Sequence, residues 1–128
     1  MKIRLAADLQ PDSVVDGEGV RTVLWTQGCP HACKGCHNPQ THSFNDGVLV
    51  DVEEVIDALR EIKHQDGLTL SGGDPVCQSE ACYEISKAAH EMCMNVWCYT
   101  GYKFEELLEK SKVFPNIRKF LDVNKCKK

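Results

Sequence analysis

The chain has 128 residues, 42% hydrophobic and 27% charged, the mix of one soluble globular domain spanning residues 1–128. Its net charge of −4 argues against a nucleic-acid binder, which needs a cationic face for phosphates. No stretch approaches the roughly 20 apolar residues of a membrane span, and no long apolar run follows the basic residues of Met1-Lys2-Ile3-Arg4, so no membrane contact or leader is expected and the compartment reads as cytoplasmic.

In chain order, residues 20–26 are β-branched and apolar, end in Gln27-Gly28 and read as a strand. A cysteine-rich loop follows directly. Asp51-Val52-Glu53-Glu54 has the spacing of a capping box, and Val52, Val55, Ile56, Leu59 and Ile62 recur behind it at helical intervals, which predicts a helix over 51–64. Gly67 breaks it, and residues 68–70 read as a short buried strand. Ser71-Gly72-Gly73-Asp74-Pro75 is a tight loop. Cys82, Ile85, Ala89 and Met92 mark the inner face of a second helix, residues 96–100 a third strand closed by Gly101, and Phe104, Leu107 and Leu108 a short third helix. Residues 120–123 read as a fourth strand.

Strands alternating with helices imply βαβ units. Four strands are too few to close an eight-stranded barrel. The expected fold is therefore α/β, an open partial (β/α) barrel with a mostly parallel sheet. In such folds chemistry gathers at the carboxyl ends of the strands, and both the cysteine loop and the glycine loop fall there. Trp25 and Trp97, in strands, are expected to be core residues.

Eight cysteines are many for this length, and in a reducing compartment clustered cysteines point to metal or redox chemistry. Three lie close together in Gly28-Cys29-Pro30-His31-Ala32-Cys33-Lys34-Gly35-Cys36-His37-Asn38-Pro39. Three thiolates suit a 4Fe–4S cluster with one iron left open to a small molecule, since an ordinary cluster takes four. With His31, His37 or His42 they also suit tetrahedral zinc. Cys33-Lys34-Gly35-Cys36-His37 further matches the spacing of covalent haem attachment, although that belongs to exported proteins. The remaining cysteines, Cys77, Cys82, Cys93, Cys98 and Cys126, are scattered, and burial as small hydrophobes is expected in preference to a second cluster. Taken alone, Gly72-Gly73-Asp74-Pro75 is a strand-to-helix turn with Asp74 as cap and Pro75 at the first helical position.

The spacing Cys29-x3-Cys33-x2-Cys36 resembles the signature of the radical S-adenosylmethionine superfamily. The runs Asp16-Gly17-Glu18-Gly19-Val20-Arg21, Gln27-Gly28-Cys29-Pro30-His31, Gly35-Cys36-His37-Asn38-Pro39, Leu70-Ser71-Gly72-Gly73-Asp74-Pro75 and Tyr99-Thr100-Gly101-Tyr102 narrow the resemblance, over roughly residues 10–123, to glycyl-radical activases of the anaerobic ribonucleoside-triphosphate reductase type, with the pyruvate formate-lyase activases as longer relatives. The resemblance implies that Cys29, Cys33 and Cys36 each ligate one iron of a 4Fe–4S cluster and that S-adenosylmethionine chelates the fourth. It implies reductive cleavage to a 5′-deoxyadenosyl radical, which takes hydrogen from a glycine of the partner reductase, with an electron donor such as flavodoxin or ferredoxin. Gly35, Cys36 and His37 fall to the adenine end of the cofactor by this resemblance, and Gly72, Gly73 and Asp74 to its methionyl amino group. No side chain is assigned acid–base work. A non-catalytic iron–sulfur or zinc module is the alternative. The resemblance aligns Leu121-Asp122-Val123 with a family strand followed by an Asp-Gly turn and a last segment. Here Asn124-Lys125-Cys126-Lys127-Lys128 stands instead, so the chain reads as shortened at its C-terminus.

Overall fold

A computed structural model describes residues 1–15, 19–28 and 47–124. Among the described residues the elements are β1 (Lys2–Leu5), β2 (Gln10–Ser13), β3 (Arg21–Thr26), β4 (Val48–Asp51), α1 (Val52–Glu61), β5 (Gly67–Gly72), a 3₁₀ turn (Pro75–Gln78), α2 (Ser79–Glu91), β6 (Asn95–Cys98), α3 (Phe104–Ser111) and α4 (Pro115–Asn124). The strands form one six-stranded sheet in the order β4-β1-β3-β5-β6, with β2 pairing alongside β3. Its two halves differ. β3, β5 and β6 run parallel, in continuous register from Arg21↔Gly67 to Thr26↔Gly72 and from Gly67↔Asn95 to Leu70↔Cys98. β1, β2 and β4 join antiparallel.

Side-chain alternation along the strands divides the sheet into two faces. Ile3, Leu5, Leu24, Leu68, Leu70, Val96 and Cys98 point to one side and join a single core cluster with Val55, Ile56 and Leu59 of α1, Cys82, Ile85 and Ala89 of α2, and Phe120 of α4. The other face carries Arg21, Val23, Thr69 and Trp97. Arg21 is fully buried: its Nε donates to Thr69 Oγ1 at 2.7 Å, and its Nη2 to Leu68 O at 2.9 Å and Asn95 O at 3.4 Å. Trp97 is accordingly not the core residue expected. Its odd register position turns it away from the helices, where it stays 40% exposed and lies over the Arg21 guanidinium at 5.2 Å. Trp25 is partly buried and donates from Nε1 to Gln10 Oε1 at 3.0 Å.

Three expectations need correction. Residues 120–123 are helical: Ile117, Phe120 and Leu121 lie at helical spacing behind Pro115, and α4 packs on α2, so tertiary contact decides what a four-residue apolar run leaves ambiguous. Asp51 does stand at the N-cap of α1, but its carboxylate pairs with Lys2 Nζ at 3.0 Å and makes no capping bond. The helix ends at Glu61, because Ile62 is already extended and His64 has a positive φ of 63°.

Candidate functional site

The carboxyl ends of β3 and β5 are stitched together by main chain. The Gly73 amide donates to Thr26 O at 2.7 Å and the Asp74 amide to Gly28 O at 2.8 Å. Thr26 Oγ1 adds a bond to Ser71 O at 2.9 Å. This closeness requires glycine twice. Gly72 has φ +95°, and a Cβ there would lie 2.6 Å from the Thr26 nitrogen. A Cβ on Gly73 would strike the Gly28 carbonyl. The glycine loop is thus a hydrogen-bonded neighbour of Gly28, the residue that leads into Cys29.

Asp74 sits 1% exposed at the N-cap of the 3₁₀ turn, with Pro75 following, as the turn pattern predicts. Its Oδ1 accepts from the Val76 amide at 3.0 Å, and its carboxylate also meets the β6–α3 turn through Thr100 Oγ1 and the Gly101 amide. Its backbone therefore faces β3 while its side chain serves the neighbouring turn. Ser71, Gly72 and Gly73 remain partly exposed.

Gln78 is a second organiser, and no sequence signal marked it. Its Oε1 accepts from the Arg4 amide at 2.7 Å. Its Nε2 donates to Arg4 O at 2.8 Å and Gln27 O at 3.2 Å. One side-chain amide thus copies a strand's donor–acceptor pair against β1 and holds the peptide before Gly28. On the far side of the cysteine segment, Gly47 returns to the same place: a Cβ there would lie 3.0 Å from the Gln27 side chain.

Cys29, Cys33, Gly35, Cys36 and His37 lie outside the described residues, as do Asp16 and His31. Among the described residues no three His, Cys, Asp or Glu side chains gather to hold a metal. Cys82 and Cys98 are buried in the core, as expected, whereas Cys77 and Cys93 are exposed. Tyr102 packs against the core, with Lys110 Nζ 5.3 Å from its ring centre. No helix among the described residues is long and apolar enough to cross a membrane.

A family model for 4Fe-4S single cluster domains matches residues 15–125. An anaerobic ribonucleoside-triphosphate reductase-activating protein of Haemophilus influenzae is 39% identical over 122 residues, covering 88% of this chain and 78% of the relative. Proteins of the same name from Escherichia coli K12 and enterobacteria phage T4 are 36% and 35% identical, over 76% and 77% of this chain and 68% and 67% of their own lengths. The chain belongs to the family of anaerobic ribonucleoside-triphosphate reductase-activating proteins, and the matched iron–sulfur domain takes in both the cysteine loop and the glycine loop.

Proposed function

We propose that this chain is a radical S-adenosylmethionine activase that takes a hydrogen atom from a glycine of an anaerobic ribonucleoside-triphosphate reductase. The observation that carries this is the pair of hydrogen bonds joining Gly73 and Asp74 to Thr26 and Gly28, because it seats the glycine loop beside the start of the cysteine loop at the carboxyl edge of parallel strands. The residues fit the two cofactors. Cys29, Cys33 and Cys36 offer three soft thiolates, the ligand type that iron–sulfur clusters take, one ligand short of a full protein set. Gly72 and Gly73 offer close-approaching backbone on the adjoining strand.

In this reading Cys29, Cys33 and Cys36 hold a 4Fe–4S cluster. Gly35, Cys36 and His37 contact S-adenosylmethionine from one loop, and Gly72 and Gly73 from the other, with the buried Asp74 holding that second loop in place. When bound, the reduced cluster supplies the electron that cleaves the sulfonium to methionine and a 5′-deoxyadenosyl radical. The chain's own contribution is to bind, orient and shield. Gln78 and the Thr26–Gly73 bond fix where the cysteine loop begins. Asp74 anchors the glycine loop from behind. An electron donor such as flavodoxin or ferredoxin and a cytoplasmic setting complete the reading, and the parallel β3–β5–β6 half of the sheet supports an open partial (β/α) barrel.

The test is anaerobic reconstitution of the chain with iron and sulfide, reduction, and addition of S-adenosylmethionine. The expected products are 5′-deoxyadenosine and methionine, and a glycyl radical seen by electron paramagnetic resonance when the reductase is present. Iron loading without 5′-deoxyadenosine would sink the activase reading. Cleavage without a glycyl radical would move the substrate elsewhere.

A further inference from the structure

The turn Tyr99-Thr100-Gly101-Tyr102 has no part in the chemistry described so far, yet its polar groups converge on Asp74. Thr100 Oγ1 lies 2.9 Å from Oδ1 and 2.8 Å from Oδ2 of that carboxylate. A hydroxyl has one hydrogen, so the two contacts are a single forked donation. The same oxygen accepts from the Tyr102 amide at 3.2 Å, which fixes the direction in which it donates. The Gly101 amide reaches Asp74 Oδ2 at 3.0 Å. With the Val76 amide on Oδ1, donors from two loops hold one buried carboxylate. Hydrogen bonds to a charged acceptor are shorter and about twice as strong as neutral ones, so this is a firm link between the two loops.

The orientation of Asp74 has a geometric consequence. Its side chain is drawn inward toward Thr100, and its amide toward Gly28. The peptides of Gly72 and Gly73, just upstream, are then fixed by both pulls and remain partly exposed. If Asp74 were released, the Gly73 amide would still bond Thr26 O, but the turn beyond it would lose its second anchor, and left-handed Gly72 has no side chain to restrain a small reorientation there.

We infer that Thr100 is a positioning residue for S-adenosylmethionine: through its grip on the Asp74 carboxylate it sets the main chain of Gly72 and Gly73 in the orientation that receives the methionyl end. Thr100 acts through Asp74 and not by touching the cofactor. The inference rests on the proposed function, and the experiment separates the two.

The measurement is equilibrium dialysis of S-adenosylmethionine against the reconstituted full chain, with iron content determined on the same samples. Thr100→Val keeps the side-chain shape and removes the hydroxyl. It raises Kd about tenfold with iron per chain unchanged, the loss of one hydrogen bond to a charged group, while Thr100→Ser stays within about threefold of the parent. Thr100→Ala, which removes the hydroxyl without bulk, repeats the comparison if circular dichroism shows that the valine variant does not fold. Parent affinity in the hydroxyl-free chain overturns the inference. So does a loss of affinity that tracks a loss of iron and is not rescued by serine, because that marks general damage to the fold. A parent chain that loads iron but binds no S-adenosylmethionine overturns the proposed function itself.

Discussion

At the amino ends of the three parallel strands a buried cation faces main-chain carbonyls; at their carboxyl ends a buried anion faces main-chain amides. Arg21 donates to Leu68 O, Asn95 O and Thr69. Asp74 accepts from Val76 and Gly101 amides and from Thr100. Both charges are tolerated inside because backbone dipoles and hydroxyls replace water. The difference lies in what each one joins. Arg21 ties strand to strand within a regular ladder, under the cover of Trp97. Asp74 ties loop to loop, next to glycines whose backbone stays partly open. The same device braces strands at one end and, in the proposed function, sets a ligand-binding loop at the other.

If that contrast holds, damage at the amino end falls on stability and damage at the carboxyl end on function. The largest effect is expected from Arg21→Met. It removes the Arg21 hydrogen bonds to the Thr69 hydroxyl and to two carbonyls and lowers the unfolding free energy of the metal-free chain by about 3 kcal/mol, read from urea denaturation. S-adenosylmethionine binding per folded, iron-loaded chain stays near that of the parent. A variant that unfolds no more easily would break the contrast.

Gly73→Ala probes the other end. The added methyl group must push Gly28 away and break the Asp74–Gly28 bond. Formation of 5′-deoxyadenosine is expected to fall about 100-fold, the scale of an ångström-sized misplacement, with the helical circular dichroism signal retained. Unaltered turnover would show that the two loops need not touch.

The smallest effect sharpens the boundary. Gln78→Leu removes three hydrogen bonds to Arg4 and Gln27, while Arg4 O keeps the Gln27 amide at 3.0 Å. Thermal unfolding should show a loss of about 1–2 kcal/mol, because these groups are only part-buried. Iron retention under a competing chelator should fall as well. Stability lost with iron retention untouched would assign Gln78 to the brace and not to the setting.

Much of this was legible along the chain, and the exceptions are instructive. β3, α1, β5, α2, β6 and α3 follow from period and punctuation, because each carries its own apolar face. β4 does not: Val48 and Leu49 are 63% and 50% exposed, so no inward stripe marks it, and only pairing with β1 makes it a strand. β1 does alternate, with Ile3 and Leu5 buried between Lys2 and Arg4, but four residues at a terminus are too short a run to separate from chance. α4 looked extended because Phe120-Leu121-Asp122-Val123 is apolar over less than two turns; its helical stripe appears only once Ile117 is counted with it.

The site divides in the same way. Gly72, Gly73 and Asp74 are legible by themselves only as a strand-to-helix turn, and the resemblance alone marks them for the cofactor. The cap formed by Asp74 was readable too. Gln78 was not, because its partners at Arg4 lie 74 residues away and no local pattern encodes such a contact. Thr100 falls at the end of the third predicted strand, and its meaning depends on Asp74, 26 residues upstream.

Gly28 and Gly47 come out of the sheet side by side, against the same Gln27. Joining the ends of a long segment costs conformational entropy, and that cost grows with the logarithm of its length. Here the pairing of β1 with β3 and β4 brings those ends together, so the sheet meets that cost. Loading the cysteines therefore does not have to recruit two distant parts of the chain.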